Sequence, residues 1–434
     1  VWVARYDGPG KGPEVARAVQ VDGSGNVYVT GYSWGGAGTD WDYATVKYDS
    51  NGVQQWVARY NGPGNGEDWP FGLAVDPSGN VYVTGRCLGD TTTNEDYATV
   101  KYDANGVEQW VAYYNNPARN GYDEAKAIAL DGSGNVYVTG NSAGNGWDCV
   151  TIKYDSNGVA RWLHRYDGPA NDYDKATDIT VDAPGFVYVT GRSMGVGTER
   201  DYVTIKYNSV SGGPIWIARY NNAPTDSGDR AYSVAVDGSG NVYVTGKSFG
   251  VGTDEDYATV KYNSSGIQQW VARYDGPGHG PDRAYRVLVD DSGNVYVAGE
   301  SYGDGTDYDY AAIKYDSLGS EQWAARYNGP GNGPDTTHPY GGALAIDDSG
   351  NVYVTGASFG SGTDFDLATV KYSSSNGGEL WVARYDGPAD SSDEGWGVAV
   401  DGLGNVYVTG RSVGLGGDFD FATIKYGLSG PGVE

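Results

Sequence analysis

One ten-residue stretch, Asp22-Gly-Ser-Gly-Asn-Val-Tyr-Val-Thr-Gly31, limits what this chain can fold into, because it recurs along the whole sequence. Near-copies begin at Asp76, Asp131, Asp182, Asp237, Asp290, Asp347 and Asp401. The steps between successive copies are 54, 55, 51, 55, 53, 57 and 54 residues. Eight such units account for nearly all 434 residues, so we predict that residues 1–434 form one domain built from a single repeat array.

Each unit carries the pattern of four short strands separated by turns rich in Gly, Asn and Asp. In the second unit, the predicted strands A, B, C and D occupy residues 72–76, 81–85, 96–102 and 107–114. Strand A is rich in small residues, whereas strand D always carries a Trp. Four antiparallel strands that recur in this way are typical of a β-propeller, whose inner strands are crowded at the axis. The sequence therefore predicts an all-β, eight-bladed propeller of four-stranded antiparallel blades.

The two ends of the chain carry complementary parts of one blade. Residues 2–6 read as a strand D with no strand C before them, and residues 421–426 read as a strand C with no strand D after them. We therefore expect residues 1–6 to complete the last blade and residues 427–434 to form a C-terminal tail. Such closure removes open sheet edges, which otherwise invite aggregation.

The Trp residues of strand D have two interpretations. They are Trp2, Trp56, Trp110, Trp162, Trp216, Trp270, Trp323 and Trp381. Packing between adjacent blades explains why every blade has one, since the outer strand of a propeller blade has room for a bulky side chain. A carbohydrate-binding aromatic belt is the alternative.

The chain is strongly acidic, with a formal net charge of −27 and a pI near 4.3. This balance opposes a nucleic-acid partner or an anionic membrane surface, because both require a basic footprint. Of 29 Lys and Arg residues, eight are one repeated Lys and seven are one repeated Arg, which leaves 14 for all other positions. We therefore expect a strongly acidic variable surface, which serves solubility or, alternatively, cation binding or life in high salt.

Several features favour an exported protein without membrane insertion. No apolar run approaches the roughly 18–20 residues needed to cross a bilayer. The sequence opens on Val1 rather than Met, which suggests that a leader was removed or the chain was trimmed. Cys87 and Cys149 occupy non-equivalent repeat positions and form neither a disulfide framework nor a metal motif. An extracellular or cell-surface location is the resulting expectation.

An acidic residue lies eight positions before the Asp that ends strand A in seven units, and the longest unit shifts it. These candidate metal-ligating residues are Glu14, Asp68, Asp123, Asp174, Asp229, Asp282, Asp335 and Asp393. The loops between strands D and A surround one mouth of a propeller's channel, so the acids would form a carboxylate ring able to bind Ca²⁺. Alternatively, each carboxylate caps backbone N–H groups of its own loop and faces water.

Two further charged positions recur in all or nearly all units. Asp42 and its equivalents open strand C, and counting across the C–D turn places Asp42 opposite Arg59 on one face of the sheet. Such pairs fix hairpin register. In the second unit, Tyr113 stands where the Arg is expected. Lys47 and its equivalents lie near the Trp of strand D, and an apolar stem on the ring with an ammonium reaching a carboxylate explains them without catalysis.

The motif Gly-Asn-Val-Tyr-Val-Thr-Gly after Val-Asp, followed by Asp-x-x-x-x-Lys, resembles the bacterial beta-propeller repeat family abbreviated SBBP. The resemblance covers all eight units. It implies a propeller in an exported or surface protein and brings no established catalytic residues. The family name refers to seven blades, whereas this chain has eight units.

A weaker likeness concerns the stretch that joins strands C and D. Lys47-Tyr-Asp-Ser-Asn-Gly-Val-Gln-Gln-Trp56 is similar to the tryptophan-docking repeat of quinoprotein propellers. No matching cofactor-site residues accompany it, and the paired adjacent cysteines of many such enzymes are missing. We therefore expect no bound organic cofactor, and Ca²⁺ remains the one cofactor that the sequence suggests.

Symmetry among the units favours a non-catalytic scaffold or interaction module, whose partners are other proteins, copies of itself or glycans. The alternative is an enzyme with its site on one face of the propeller, either glycan-active or a quinoprotein-like oxidoreductase. A lone pocket lined by converging non-repeat residues favours the enzyme, and repeated shallow surfaces favour the scaffold. Any special site is expected in loops where the copies disagree, first of all in Thr336-Thr-His-Pro-Tyr340.

Overall fold

The computed structural model describes residues 1–36, 38–90, 94–144, 146–222, 228–338 and 343–430, and every regular element within them is a β-strand. These strands form eight antiparallel sheets, and each sheet is one blade. The predicted all-β, eight-bladed propeller is therefore confirmed. None of the described residues forms a helix that could span a membrane.

The first four blades follow one another along the chain, each in the order A, B, C, D. Blade 1 contains β2 (Glu14–Val21), β3 (Val27–Trp34), β4 (Trp41–Tyr48) and β5 (Gln54–Tyr60). Blade 2 contains β6 (Trp69–Val75), β7 (Val81–Leu88), β8 (Glu95–Tyr102) and β9 (Glu108–Tyr114). Blade 3 contains β10 (Asp123–Leu130), β11 (Val136–Ala143), β12 (Trp147–Tyr154) and β13 (Ala160–Tyr166). Blade 4 contains β14 (Asp174–Val181), β15 (Val187–Met194), β16 (Arg200–Tyr207) and β17 (Pro214–Tyr220).

The second half of the ring includes one blade with a divided inner strand. Blade 5 contains β18 (Arg230–Val236), β19 (Val242–Phe249), β20 (Glu255–Tyr262) and β21 (Gln268–Tyr274). Blade 6 contains β22 (Asp282–Val289), β23 (Val295–Tyr302), β24 (Tyr308–Tyr315) and β25 (Glu321–Tyr327). Blade 7 divides strand A into β26 (Asp335–Thr336) and β27 (Leu344–Ile346), followed by β28 (Val352–Phe359), β29 (Phe365–Tyr372) and β30 (Glu379–Tyr385). Blade 8 contains β31 (Asp393–Val400), β32 (Val406–Val413), β33 (Phe419–Tyr426) and β1 (Trp2–Tyr6).

The ring closes where the first strand of the chain joins the last blade. Strand β1 pairs antiparallel with β33, from Trp2 opposite Lys425 to Tyr6 opposite Phe421. The ladder gives β33 an outer neighbour and completes the four-stranded sheet of blade 8. The N-terminal strand therefore completes blade 8, as the sequence predicted.

The repeated Asp22–Gly31 stretch builds the turn between strands A and B. Asp22 Oδ1 accepts hydrogen bonds from the backbone N–H groups of Ser24 and Asn26, and its Oδ2 accepts from Asn26 Nδ2 and the Tyr28 hydroxyl, at 2.7–3.0 Å. Gly25 has a φ of +77°, which a side chain would strain. Although partial burial opposes the shift, these hydrogen bonds lower the pKa of Asp22. The motif is thus a structural turn.

Neighbouring blades are joined by a Trp and a Lys that share one acceptor. Trp56 Nε1 and Lys47 Nζ of blade 1 donate to the backbone carbonyl of Ala104 in blade 2, at 3.1 and 3.3 Å. The Trp56 ring also lies between Tyr28 and Tyr102, with centroids 6.4 and 6.5 Å away. This confirms the predicted packing of Trp between blades. The predicted carboxylate partner was wrong for Lys47, whose ammonium reaches a carbonyl of the next blade, but its equivalent Lys371 does lie 3.5 Å from a carboxylate oxygen of Asp347.

The predicted Asp–Arg pairs form although the counted register was wrong. The count assumed that Tyr48 pairs with Val53. Instead Tyr48 pairs with Gln54, which shifts the register by one residue, and a bulge at Gln55 shifts it by one more, so Arg59 lies opposite Ala44. A shift of two residues keeps a side chain on the same face, and Arg59 still lies 2.8 Å from Asp42. The other predicted pairs also form: Arg5–Asp420, Arg165–Asp148, Arg219–Asp201, Arg273–Asp256, Arg326–Asp309 and Arg384–Asp366.

Blade 2 keeps the Asp of this pair but replaces the Arg with a neutral Tyr. Tyr113 stands in the Arg position, and the Tyr60 hydroxyl donates to its hydroxyl at 2.8 Å. Elsewhere the Arg also reaches a Ser of strand B and a Tyr of the preceding blade; Arg59, for example, donates to Ser33 Oγ at 2.7 Å and to the Tyr6 hydroxyl at 3.2 Å. In blade 2 the Ser position holds the fully buried Cys87. The two replacements occur in the same blade because the Ser and the Arg contact each other.

Candidate functional site

The eight acids predicted as metal ligands begin strand A or directly precede it, and all are at most 1% exposed. Asp68 shows their common environment: its carboxylate accepts hydrogen bonds from the backbone N–H groups of Gly62 in the D–A loop and Leu88 at the end of strand B. Asp282 does the same with Gly276 and Tyr302. Each carboxylate therefore caps its own loop, as the alternative interpretation predicted, but it is buried rather than facing water.

Burial raises the pKa values of these carboxyls. The pKa of Glu14 rises to about 8, that of Asp68 to about 7, and those of Asp282, Asp335 and Asp393 to about 6, although backbone or Ser hydrogen bonds oppose the shift. Burial is likewise the largest cause of the raised pKa values of Asp123, Asp174 and Asp229.

Three of the eight acids belong to separate acidic groups. These are Asp7–Glu14–Asp420, Asp148–Asp167–Asp174 and Asp256–Asp275–Asp282, with ligand atoms within 4.8 Å of one another in each group. Across the described residues, no such group contains two of the eight predicted acids. Arg5, Arg165 and Arg273 already pair with one acid in each group. Ca²⁺ binding by these carboxylates therefore stays a prediction, at separate blades rather than at one ring.

A different set of residues meets at the channel, and it comes from a bulge in strand A. In blade 1 the A–B register shifts between Ala16 and Ala18, so Arg17 is left out of the ladder. The same shift recurs in six other blades, three positions after the buried acid. A bulge redirects one side chain without ending the strand. We call these residues and the corresponding His338 the collar: Arg17, Phe71, Lys126, Thr177, Tyr232, Tyr285, His338 and Trp396.

The residue at the collar position differs between nearly all units. The eight collar positions hold Arg, Phe, Lys, Thr, Tyr, Tyr, His and Trp, whereas the residues just before and after the bulge are mostly Ala or Gly. In blade 7 an insertion follows His338; Pro339 and Tyr340 of the predicted special loop lie outside the described residues. The sequence-based hypothesis looked for the special site in loops, but a strong disagreement among the copies lies within strand A.

Aromatic rings and cations alternate around part of the collar. The Arg17 guanidinium carbon lies 4.6 Å from the centroid of Phe71 and 5.5 Å from that of Trp396. It also lies 5.0 Å from Tyr32 and 5.3 Å from Trp69. On the other side of Phe71, Lys126 Nζ is 3.8 Å from the ring centroid. These cation–π contacts join blades 8, 1, 2 and 3 at the channel.

Two collar residues, His338 and Trp396, stack on each other beside a hydrogen-bonded carboxylate. His338 stacks on Trp396 with centroids 3.8 Å apart, and its Nε2 lies 3.1 Å from Glu394 Oε2. Arg411 donates to the other oxygen of Glu394 at 2.6 Å. Burial would raise the pKa of Glu394, but His338 and Arg411 lower it to about 2. Glu394 is therefore ionised at neutral pH and fixes the imidazole against the channel wall.

At the collar, the channel holds a cavity of about 220 Å³ lined mainly by strand A. Apolar side chains such as Leu73 share its wall with polar ones such as Lys126. Asp178 also lines the cavity; its carboxylate accepts from Ser233 Oγ at 2.9 Å and lies 3.3 Å from Arg286. These three residues belong to blades 4, 5 and 6, so one carboxylate joins three successive blades at the channel wall.

The cations that do not belong to the repeat concentrate on the same side of the propeller. Eleven of the 14 lie in strands A, B or C. Each of them is a collar residue or lies within a few residues of one on the same strand or a neighbouring strand. They are Arg17, Arg86, Lys126, Lys175, Arg192, Arg200, Arg230, Lys247, Arg283, Arg286 and Arg411. We expected a strongly acidic variable surface, but that surface is not uniformly acidic, because the non-repeat cations concentrate at the channel mouth.

Four segments of the chain, residues 55–90, 109–146, 215–250 and 383–416, match the SBBP beta-propeller repeat. Each segment joins strand D of one blade to strand B of the next. The protein is thus an eight-bladed β-propeller that carries SBBP repeats, which confirms the resemblance drawn from its motifs.

Two curated proteins have similar sequences. Regulatory protein FlaEY of Caulobacter vibrioides is 28% identical over 169 residues, which are 32% of this chain and 17% of that protein. The WD repeat-containing protein L264 of Acanthamoeba polyphaga mimivirus is 24% identical over 358 residues, which are 66% of this chain and 24% of that protein. The chain therefore spans at most about a quarter of the length of either relative.

Solved structures share the architecture at low identity. BamB from Moraxella catarrhalis has a TM-score of 0.55 and 12% identity, with 98% of each chain covered. Quinohemoprotein alcohol dehydrogenase from Comamonas testosteroni also has a TM-score of 0.55, with 11% identity over 100% of this chain and 76% of that one. At such identities the likeness concerns the fold alone.

Proposed function

We propose that this protein is a non-catalytic, exported interaction module that binds its partner at the channel mouth. The observation that carries the proposal is the collar: seven positions in equivalent bulges, and His338 beside them, hold residues that differ from blade to blade. Residues that build the blades, such as Asp22 and Trp56, recur almost without change. A binding site needs side chains that fit its ligand rather than the blade. A position that faces the channel and differs between the copies is therefore the best candidate for a binding site.

The composition of the mouth supports binding of another molecule. Aromatic side chains and Arg are enriched at the centres of binding sites because they combine a large contact area with hydrogen-bond donors. The collar and its neighbours provide Arg17, Tyr32, Trp69 and Trp396 within one cluster. Other proteins, a second copy of the chain and glycans are all partners of suitable chemistry.

The outer rim offers less to a specific partner. Its exposed strand D repeats nearly the same sequence in several blades, such as Gln54-Gln-Trp56 and Gln268-Gln-Trp270. Equivalent surfaces suit repetitive contacts between copies, which is how a self-assembling scaffold would use them. Self-assembly through the rim and ligand binding at the mouth therefore predict different sensitive residues.

The test compares a collar variant with a rim variant. Tyr285→Ala removes an aromatic ring from the mouth, and Gln109→Ala changes an exposed side chain of strand β9 that donates to the carbonyl of Val107. We expect binding on a glycan array, or self-association in sedimentation velocity, to be lost in Tyr285→Ala and kept in Gln109→Ala. Wild-type binding that survives Tyr285→Ala but is lost in Gln109→Ala contradicts the proposal.

An enzyme with its site at the same mouth is the second candidate. One observation favours it: the His338 imidazole faces the mostly buried, ionised Glu394 and stacks on Trp396, an arrangement that holds a base in one orientation. A panel of glycan substrates assayed with the wild type and His338→Gln separates the candidates. Turnover that disappears in His338→Gln would establish the enzyme.

A further inference from the structure

The cations at the channel mouth differ in whether a carboxylate faces them. Several have one: Arg86 with Glu95 at 2.7 Å, Lys126 with Glu124 at 3.0 Å, Arg283 with Glu255 at 2.7 Å, Arg411 with Glu394 at 2.6 Å, and Lys247 with Glu255. In blade 4 the pattern changes. Among the residues that the structure describes, no carboxylate lies within ion-pairing distance of Lys175, Arg192 or Arg200.

These three cations surround one tyrosine ring. Lys175 lies directly opposite Arg192 in the A–B ladder, and Arg200 begins the adjoining strand C. The Tyr173 centroid lies 5.1 Å from Lys175 Nζ, 5.0 Å from Arg192 Cζ and 4.6 Å from Arg200 Cζ. Arg192 also donates to the Tyr173 hydroxyl at 3.1 Å. We call Lys175, Arg192 and Arg200 the blade 4 cluster.

Such a cluster stores electrostatic repulsion that an anion would relieve. Burial, together with the nearby charges of Arg230 and Arg200, lowers the pKa of Arg192. The buried Nε atoms of Arg192 and Arg200 have no hydrogen-bond partner among the described residues. Guanidinium groups are suited to oxyanions because their donors form a rigid planar fork. The positive charges and the guanidinium donors therefore both favour an oxyanion as the ligand.

The space beside the cluster indicates how large the bound group is. A cavity of about 100 Å³ is lined by Lys175, Arg192 and Arg230, together with Glu124, Asn141 and Thr177. Roughly 10–15 Å³ of such volume is enough for one water molecule, so the cavity has room for a carboxylate together with several waters of hydration.

Aromatic surface next to the cavity points to a sugar. Lys175 Nζ lies 3.9 Å from the centroid of Trp147 in blade 3, and Trp147 and Tyr173 are both only partly buried. Flat rings beside Arg and Asn donors suit the apolar face and hydroxyl groups of a saccharide. The net charge of −27 repels a long polyanion, so a short chain is favoured.

We propose that the blade 4 cluster binds the carboxylate of a short acidic oligosaccharide, such as a uronic acid chain, an inference that rests on the proposed binding role of the channel mouth. The carboxylate enters the cavity beside Arg192, and the sugar ring lies towards Trp147 and Tyr173. Glu124 and Asn141 also line the cavity, and a hydroxyl group of the sugar meets them.

The test is calorimetric titration with trigalacturonate, with a neutral galactose trimer of the same length as the matched ligand. We expect trigalacturonate to bind, the neutral trimer to bind at least about tenfold more weakly, and salt to weaken the acidic ligand's affinity. Equal binding of the two trimers overturns the proposal, because the carboxylate would then contribute nothing.

Variants locate the site. Arg192→Gln and Lys175→Gln are each expected to weaken trigalacturonate binding by at least about tenfold. Arg161→Gln removes the same charge from strand β13, far along the rim, and should leave the affinity unchanged. Melting curves verify that all three variants are folded. Equal effects of Arg161→Gln and Arg192→Gln overturn the proposal, because they would indicate a response to net charge alone.

The remaining outcomes separate this inference from the proposed function. Tighter binding of triglutamate than of trigalacturonate means that the cluster recognises acidic peptides, and the sugar proposal fails. Absence of binding to any acidic trimer, alongside binding of another ligand that Tyr285→Ala abolishes, also refutes the acidic sugar and leaves the mouth as the binding site. Binding of trigalacturonate that resists every variant at the mouth contradicts both proposals.

Discussion

At the scale of single residues, two sets of acidic side chains respond to pH in opposite senses. Although burial opposes the shift, hydrogen bonds lower the pKa values of Asp22 and six of its counterparts in the A–B turns, so these carboxylates stabilise the fold when ionised; the six are Asp76, Asp131, Asp237, Asp290, Asp347 and Asp401. Burial raises the pKa values of Glu14 and its counterparts at the start of strand A, so they stabilise the fold when protonated. Repetition places each set in several blades, which multiplies a small effect per residue.

The buried acids lead to a prediction about pH. A carboxyl whose pKa is raised by folding contributes stability that is fully present below its unfolded pKa and is lost as the pH rises through its folded pKa. The folded pKa values of Glu14 and Asp68 are about 8 and 7. We therefore expect the melting temperature to rise by several degrees as the pH falls from about 8 to about 5.

Glu14→Gln checks this assignment, because the amide cannot ionise. The variant should lose part of the pH dependence, whereas Glu108→Gln, at an exposed position of strand β9, should keep all of it. Calcium binding gives a contrasting result: excess Ca²⁺ would raise the melting temperature more at about pH 8 than at about pH 5, because carboxylates bind Ca²⁺ in their ionised form. A melting temperature that falls on acidification from about pH 8 contradicts the burial argument.

A second residue-scale prediction concerns the Arg of strand D. Arg59→Met removes the ion pair with Asp42 and the hydrogen bonds to Ser33 and Tyr6, leaving a carboxylate in a mostly buried site. We expect a loss of about 2–4 kcal/mol in the free energy of unfolding. Blade 2 supplies the matched control, because Tyr113→Phe removes only a neutral hydrogen bond and should cost about 1 kcal/mol. Urea denaturation measures both, and equal losses would contradict the importance of the ion pair.

At the scale of elements, the sequence predicted strands C and D of blade 2 to within one residue, but missed three residues at the start of strand A and three at the end of strand B. In blade 2 the predicted strand A began at Gly72, but β6 begins at Trp69. The bulge at Phe71 interrupts the regular ladder, and the residues before it vary among the copies, so no repeated pattern marked the start of the strand. The bulge at Gln55 misled the count across the C–D turn for the same reason. Bulges depend on neighbouring strands, which a single strand's sequence does not show.

The closure of the ring gives a prediction about an element. Deleting residues 2–6 removes β1, which forms the outer edge of blade 8 and whose Trp2 donates to the carbonyl of Ser50 in blade 1. The deletion exposes β33 as an unpaired edge, so we expect a large fall in melting temperature and aggregation on heating. Deleting Val1 alone, which is 72% exposed, is the control and should change neither. An unchanged melting temperature without residues 2–6 would refute the closure.

At the scale of the whole molecule, the sequence predicted the architecture but, of the proposed site, only His338. Eightfold repetition revealed the blades, because identical positions must satisfy identical contacts. The site depends on which positions face the channel, and a β-strand pattern does not show which end of a strand meets its counterparts from other blades. The signal was nevertheless present: the third residue after each buried acid differs between nearly all copies. Aligning the units would have placed it among their most variable internal positions, together with the last residue of strand B, which also differs between nearly all copies.

The same scale shows why the net charge was misleading. The total of −27 excludes partners that need a broad basic surface. It does not describe a small region, and the propeller gathers eleven of its 14 non-repeat cations around one mouth. Local charge rather than net charge governs a ligand that enters this mouth, because interactions beyond a Debye length of about 8 Å are largely screened at physiological salt.

The central claim is that positions shared by the blades build the propeller and that the collar binds its partner. A high-resolution map of the protein purified from its natural source, with any bound partner retained, tests this claim most directly. We predict that density not belonging to the chain lies at the channel mouth, in contact with collar residues such as Arg17 and Tyr285 or with the blade 4 cluster. Partner density confined to the outer rim, on the repeated surface of the D strands, would contradict the claim.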